Sequence, residues 1–263
     1  MKRPPPFGVV FDDGDVIAVN KAAGIAVCPD RWDDSLQRLD RLVGEAVGAR
    51  VFTVHRIDRD TSGLVVFTRS AAAHRRLSLA FEGRSVAKRY VAVLNGRPPW
   101  QETECDLPLV PDGNKRHMTI VDRFRGKKSL TRFVLLGSAG GYSVVEALPE
   151  TGRTHQIRVH AAELGFPVVC DGLYGSGDPL MLSAIKRNWR GDPFDEKPLL
   201  ARLALHAASL SLPRALLSDK TPTHASDGDA LALRAGLPRD MTALLKQMEK
   251  NCPGGAFFQF LPR

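Results

Sequence analysis

The sequence predicts an α+β fold with a central, mostly antiparallel mixed sheet flanked by helices and loops. Two observations carry that expectation. Apolar segments of strand length outnumber those with a helical period. Many of the strands are also joined by tight turn signals, which favours antiparallel pairing over a doubly wound sheet.

Taken in order, Gly8–Phe11 and Val16–Asn20 flank the polar cluster Asp12-Asp13-Gly14-Asp15, a hairpin signal. From Leu36 the apolar positions Leu36, Leu39, Leu42, Val43, Ala46 and Val47 form a helical stripe, with Asp34 or Ser35 as N-cap and Gly48 as stop. Val51–Val54 and Leu64–Thr68 read as strands around the polar segment His55–Gly63. Ser70 caps a short helix to Phe81, and Arg89–Leu94 is a further strand. Ser129–Leu136 and Tyr142–Leu148 pair across Gly140-Gly141, and a helix follows from about Thr154 to Leu164, stopped by Gly165. Leu203, Leu205, Ala207, Leu210 and Leu212 mark a long strand, bulged where the phase changes and ended by Pro213. Ser218–Asp229 reads as a mobile surface loop before a final amphipathic helix carrying Met241, Leu244, Leu245 and Met248.

The 263 residues suffice for one substantial core, and 43% hydrophobic against 25% charged residues is the balance of an ordinary globular protein. A formal charge of +8 favours a polyanionic partner through steering and counterion release. Cys28, Cys105, Cys170 and Cys252 are at least 65 residues apart, so there is neither a metal-ligand pair nor a disulfide framework. Behind its early charges the N-terminus has no apolar signal core, and no run reaches the length of a membrane span. A soluble, cytoplasmic chain with reduced thiols is expected.

Three segments concentrate chemistry. His55-Arg56-Ile57-Asp58-Arg59-Asp60-Thr61-Ser62-Gly63 places a His, two Arg and two Asp beside buried strands, where unpaired charge is costly. By itself it fits a salt-bridged turn, or a carboxylate pair of the hydrolytic kind using Asp58 and Asp60. Glu150–His160 feeds a helix with Arg153 and Arg158 in or just before its first turns. The helix dipole disfavours cations there, so either a phosphate or a buried carboxylate offsets the cost, or the two arginines are simply solvated at roughly a few tenths of a kcal/mol. His155 and His160 are five apart, which is not the spacing of a helical zinc pair. Lys88-Arg89-Tyr90 sets one ring beside two cations at the start of a strand. That suits nucleic acid, although simple packing of the tyrosine explains it as well. Leu205-His206-Ala207 in the late strand reads most simply as a satisfied sheet histidine.

In combination, HRIDRDTSG at 55–63, KRY at 88–90, GRTHQIRVHAAELGFPVVCDGLYG at 152–175 and LALHA at 203–207 closely resemble the RluA family of pseudouridine synthases. FDDGDVIAVNKAAG at 11–24 resembles the family's opening, with Ala22 where a proline is usual. Ile57 replaces the usual leucine, a volume-conserving change. The resemblance implies a single catalytic domain, 1–263, with its family-like core at about 9–213, a C-terminal loop and helix extension at about 214–263, and no N-terminal S4-type domain. It implies an isomerase that flips a uridine out of structured ribosomal or transfer RNA and converts it to pseudouridine. The catalytic residues it implies are Asp58, Tyr90 beneath the base, and Arg158 paired with the aspartate. Substrate and RNA binding falls to His55, Arg56, Thr61, Lys88, Arg153, His155 and Ile157, and Asp60 structures its loop. No metal, nucleotide or other cofactor is implied, nor any membrane partner, and the expected state is a monomer. A noncatalytic RNA-binding module and an N-glycosidase that releases uracil are the rival readings. The first has no use for Asp58, and the second would leave free base in the reaction.

Overall fold

The computed structural model describes residues 5–29, 35, 37–114, 118–216 and 230–251. In chain order its elements are β1 (Phe7–Asp12), β2 (Val16–Lys21), α1 (Leu39–Val47), β3 (Phe52–Thr53), β4 (Ser62–Thr68), α2 (Ala71–Glu82), β5 (Ala87–Asn95), β6 (Glu102–Cys105), β7 (Leu109–Val110), β8 (Ile120–Val121), β9 (Thr131–Ala139), β10 (Tyr142–Pro149), α3 (Gln156–Glu163), β11 (Leu205–Pro213), β12 (Ala230–Arg234) and α4 (Arg239–Asn251). The class is α+β, as the sequence predicts. Where a single domain is expected, the described residues divide into two compact units. Of the described residues, those within 5–88 and 207–236 make up one unit and those within 89–206 and 237–251 the other.

In the first unit the strands run in the order β1-β2-β4-β11, with β3 on β4 and β12 on β11. The pairs β1–β2, β2–β4, β3–β4 and β11–β12 are antiparallel. Asp13 accepts the N–H groups of Asp15 and Val16 to close the first hairpin. β4 is buried along its whole length, so its side chains are uniformly apolar or small rather than alternating. Ser70 Oγ caps α2 by accepting Ala73 N–H at 3.2 Å, and α2 sends Leu77 and Ala80 into a core with Val16, Ala18, Leu64, Val66, Leu210 and Leu212.

Two expectations change here. Helix α1 begins at Leu39 rather than Leu36, because the carbonyls of Ala26 and Val27 accept the N–H groups of Leu39 and Asp40 and so replace a side-chain cap. Asp34 and Leu36 lie outside the described residues. Helix α1 does stop at Gly48, whose φ of 65° is left-handed. The expected Ser218–Asp229 loop also lies outside them, and β12, which sequence reasoning missed, follows it. Pairing of β11 with β12 covers Ser209–Pro213 without a register shift, and Leu205–Ala208 just before it is buried throughout.

In the second unit β5, β10, β9 and β6 form an antiparallel ladder, and β7–β8 form a separate ribbon. The final helix is α4, with Met241, Leu244, Leu245 and Met248 fully buried as its stripe requires. Helix α3 is shorter than expected and begins at Gln156. Buried Gln156 meets four partners, accepting from Thr151 Oγ1 and Arg153 N–H and donating to Leu130 O and Thr131 Oγ1. No described helix is long and apolar enough to cross a membrane.

Candidate active site

In the first unit the polar segment ahead of β4 is held from three sides. Lys21, at the end of β2, is 1% exposed, and its ammonium donates to the carbonyls of Ala22, Ile25 and Arg59 at 3.0, 2.9 and 2.8 Å. Gly24 N–H adds a second donor to Arg59 O, and Thr61 N–H donates to Asp58 O at 3.2 Å. A buried ammonium tolerates desolvation only with such a set of acceptors, so the cation fixes the turn that carries Asp58. Asp58 is itself half-buried. At the far end of the turn Gly63 has φ +115°, and a Cβ there would meet the backbone of Ala207, 2.6 Å from its nitrogen.

His55 is engaged inside the unit. Its Nε2 accepts Val66 N–H at 3.1 Å and its ring stacks on Phe81 at 4.5 Å. Burial, then the nearby charge of Lys88, pushes its pKa down to about 3, so the ring is neutral at physiological pH. Arg56 is exposed and Lys88 half-buried, while Thr61 is buried with no hydrogen-bond partner for its Oγ1 among the described residues. Asp60 pairs with Arg59 at 3.4 Å on the surface, in keeping with a loop-structuring part.

In the second unit Arg158 lies in α3, and its side chain is only 6% exposed. Asp171, fully buried, grips it with two 2.7 Å bonds, Nε to Oδ2 and Nη2 to Oδ1. Burial alone would raise the Asp171 carboxyl. The Arg158 bonds and charge, with the N–H groups of Leu173 and Tyr174, hold it below the usual carboxylate range. The guanidinium carbon sits 5.1 Å over the Tyr174 ring. Tyr174 Oη accepts Thr119 N–H at 2.9 Å and shares a 2.9 Å bond with His155 Nδ1. His155 has a left-handed φ of 52°, a strained conformation at the mouth of the helix.

Within its own unit Arg158 has a buried carboxylate partner, Asp171, which sequence reasoning did not name, having expected Asp58 in that part. Sequence reasoning passed over Asp171 and Tyr174, although both lie within the 152–175 motif; the signal was the run Asp171-Gly172-Leu173-Tyr174, which looks like an ordinary turn. Arg153 donates to Lys128 O, and Ile157 is buried in its helix. Tyr90 is half-buried on β5 opposite Ala147. His160 bonds Thr131 Oγ1 and Leu107 O, and burial lowers its pKa.

A family model described as RNA pseudouridylate synthase matches residues 15–163. A ribosomal large subunit pseudouridine synthase D of Zymomonas mobilis is 32% identical over 252 residues, which cover 92% of this chain and 73% of that protein. An uncharacterized RNA pseudouridine synthase of the same organism is 39% identical over 210 residues, 78% of this chain and 87% of that one. Among solved structures, human RNA pseudouridylate synthase domain containing 1 superposes with a TM-score of 0.65 at 25% identity, over 90% of this chain and 87% of that one. Human RNA pseudouridylate synthase domain containing 4 gives 0.66 at 22% over 92% of both, a likeness of fold.

Proposed function

The chain belongs to the RNA pseudouridylate synthase family, and on that premise we propose that it isomerises uridine in ribosomal RNA with Asp58 as the catalytic carboxylate. The observation that carries the reading is the turn bearing Asp58, which a buried lysine and two glycine contacts hold in one conformation. Chemistry on a fixed sugar carbon needs such preorganisation, and a loop that merely contacted phosphate would not. The names of relatives in Zymomonas mobilis and Neisseria meningitidis point toward large-subunit ribosomal RNA.

The reaction breaks N1–C1′, turns the uracil, and forms C5–C1′, after which C5 loses its proton. It involves neither hydrolysis nor net redox change. Asp58 acts either as nucleophile or as base at the ribose. Tyr90 stacks on the flipped base, and Arg158, held in orientation by Asp171, supplies a fixed positive charge in the site. Arg56, Lys88, Arg153 and His155 meet the RNA backbone. The ring of His55, the hydroxyl of Thr61 and the side chain of Ile157 shape the ground around it. We propose a cytoplasmic monomer that needs no metal or nucleotide, so tritium release from uridine-tritiated RNA should proceed in EDTA; complete loss restored by a divalent ion, with RNA folding held constant, contradicts this. Mapping pseudouridines across total RNA from cells with and without the gene tests the function. One or a few ribosomal positions should lose the modification, and an unchanged map refutes the proposal.

A further inference from the structure

Phe124 is 99% exposed, an unusual place for a large, wholly apolar ring in a folded protein. It tops a turn that is rigidly made. The Asp122 carboxylate accepts the N–H groups of Phe124 and Arg125, both at 2.9 Å, and its other oxygen takes Arg125 Nε at 2.7 Å. Gly126 N–H returns to Asp122 O at 2.9 Å. A Cβ on Gly126 would lie 2.6 Å from the carbonyl carbon of Pro108 and closer still to Asp122 O, so the turn is packed against its neighbour segment. Leu109 and Lys127 exchange backbone bonds of 3.0 and 2.9 Å beneath it. In the chain beside the ring Arg123, Arg125, Lys127 and Lys128 are all exposed, and the nearby acid, Asp122, is paired with Arg125. The same ribbon is tied through Thr119 N–H to Tyr174, whose ring carries Arg158.

We propose that Phe124 is an RNA-stacking residue: an unpaired base of the substrate lies on its ring, while the four flanking cations take the adjacent phosphates. This rests on the proposed function and extends it to a contact beyond the target uridine. Every base offers a π-face, and a ring already fixed on a stiff turn loses little freedom on binding. Phe194 provides an internal contrast. It is 100% exposed on a similar turn capped by Asp192, but Asp195 and Glu196 follow it directly where Arg125 follows Phe124, and Arg190 and Lys197 lie farther along the chain, so the local charge favours a polyanion less.

The test uses the full chain and a hairpin RNA whose uridine-containing loop carries 2-aminopurine. Phe124→Ala should weaken binding from about fivefold to more than a hundredfold, the range that loss of one stacked base gives. Quenching of 2-aminopurine should fall, while the salt slope stays that of the parent because the net charge is unchanged. Phe124→Trp should restore affinity and Phe124→Leu should not. Arg125→Ala should make the salt slope shallower by about 0.7 for each phosphate that is no longer neutralised. Phe194→Ala should bind like the parent. With the ring wholly exposed, thermal midpoints should be unmoved, and Phe124→Trp keeps the test open if the alanine variant misfolds. Parental affinity in Phe124→Ala, or leucine serving as well as phenylalanine, overturns the proposal. So does a change in sedimentation mass with RNA affinity intact, which makes the ring a protein contact. Tritium release by the parent chain is scored separately: its absence counts against the proposed function, whereas its presence with unaltered Phe124 variants counts against the stacking residue alone.

Discussion

The Arg158–Asp171 pair allows the arginine's role to be separated from its contribution to stability. Arg158→Met keeps most of the side-chain volume but strands a fully buried carboxylate that retains only the N–H groups of Leu173 and Tyr174. Removing one partner of such a pair costs about 3–5 kcal/mol. For a chain of this size that is a fall in thermal midpoint on the order of 10 °C. Asp171→Asn is nearly isosteric and removes the stranded charge, and its amide oxygen can still accept both N–H groups. The double variant Arg158→Met with Asp171→Asn should therefore recover much of the stability lost in Arg158→Met, giving a coupling of about 2 kcal/mol or more. Asp58 is half-buried and keeps access to solvent, so Arg158→Met with Asp58→Asn should recover far less. Every variant without Arg158 or Asp58 should be inactive. Urea unfolding of the parent, the three single variants and the two doubles measures the terms. Additive changes for Arg158 and Asp171, or a larger recovery through Asp58, would refute the reasoning.

Three other perturbations follow from the same geometry. Lys21→Met removes the ammonium from three carbonyls and should cost about 1–3 kcal/mol, with turnover falling more than RNA affinity; equal kcat in steady-state assays contradicts the clamp. Gly63→Ala adds a Cβ against the Ala207 backbone at a left-handed φ, so a loss of about 2–5 kcal/mol is expected, and an unchanged melting midpoint would show that the approach is not tight. The His55 pKa in the folded chain, about 3, lies below its unfolded value. The stability it contributes is therefore complete above pH about 6.5 and is lost as pH falls toward 3, by up to about 1.4 kcal/mol per unit. His55→Asn should flatten that part of the stability profile between pH 7 and pH 5, and parallel profiles would contradict the assignment.

What the sequence made legible was whatever rests on local pattern. The first hairpin is written in its Asp-Gly turn, α2 in Ser70 and the helical period, and α4 in four apolar residues at the right spacing. Asp58, Tyr90 and Arg158 are proposed as catalytic because long motifs resemble a known family. Other features depend on partners remote in sequence. Lys21 reads as one more surface lysine until Arg59 O, 38 residues on, is brought to it. Asp171 shows its importance only once α3 turns Arg158 toward it. The start of α1 was misplaced because its cap is backbone of Ala26 and Val27, which no side-chain signal reveals. Strand β12 is short, and the alternation Ala230-Leu231-Ala232-Leu233-Arg234 needs β11 beside it to be recognised as a strand.

The central claim, that Asp58 performs the chemistry rather than the binding, is tested most directly by Asp58→Asn in two parallel measurements on one tritiated RNA preparation. Tritium release from C5 should fall to background, because the amide can serve neither as nucleophile nor as base. RNA affinity should hold or improve, since the change removes a negative charge from the turn proposed to face the RNA. Tritium release comparable to the parent's would contradict the assignment of Asp58.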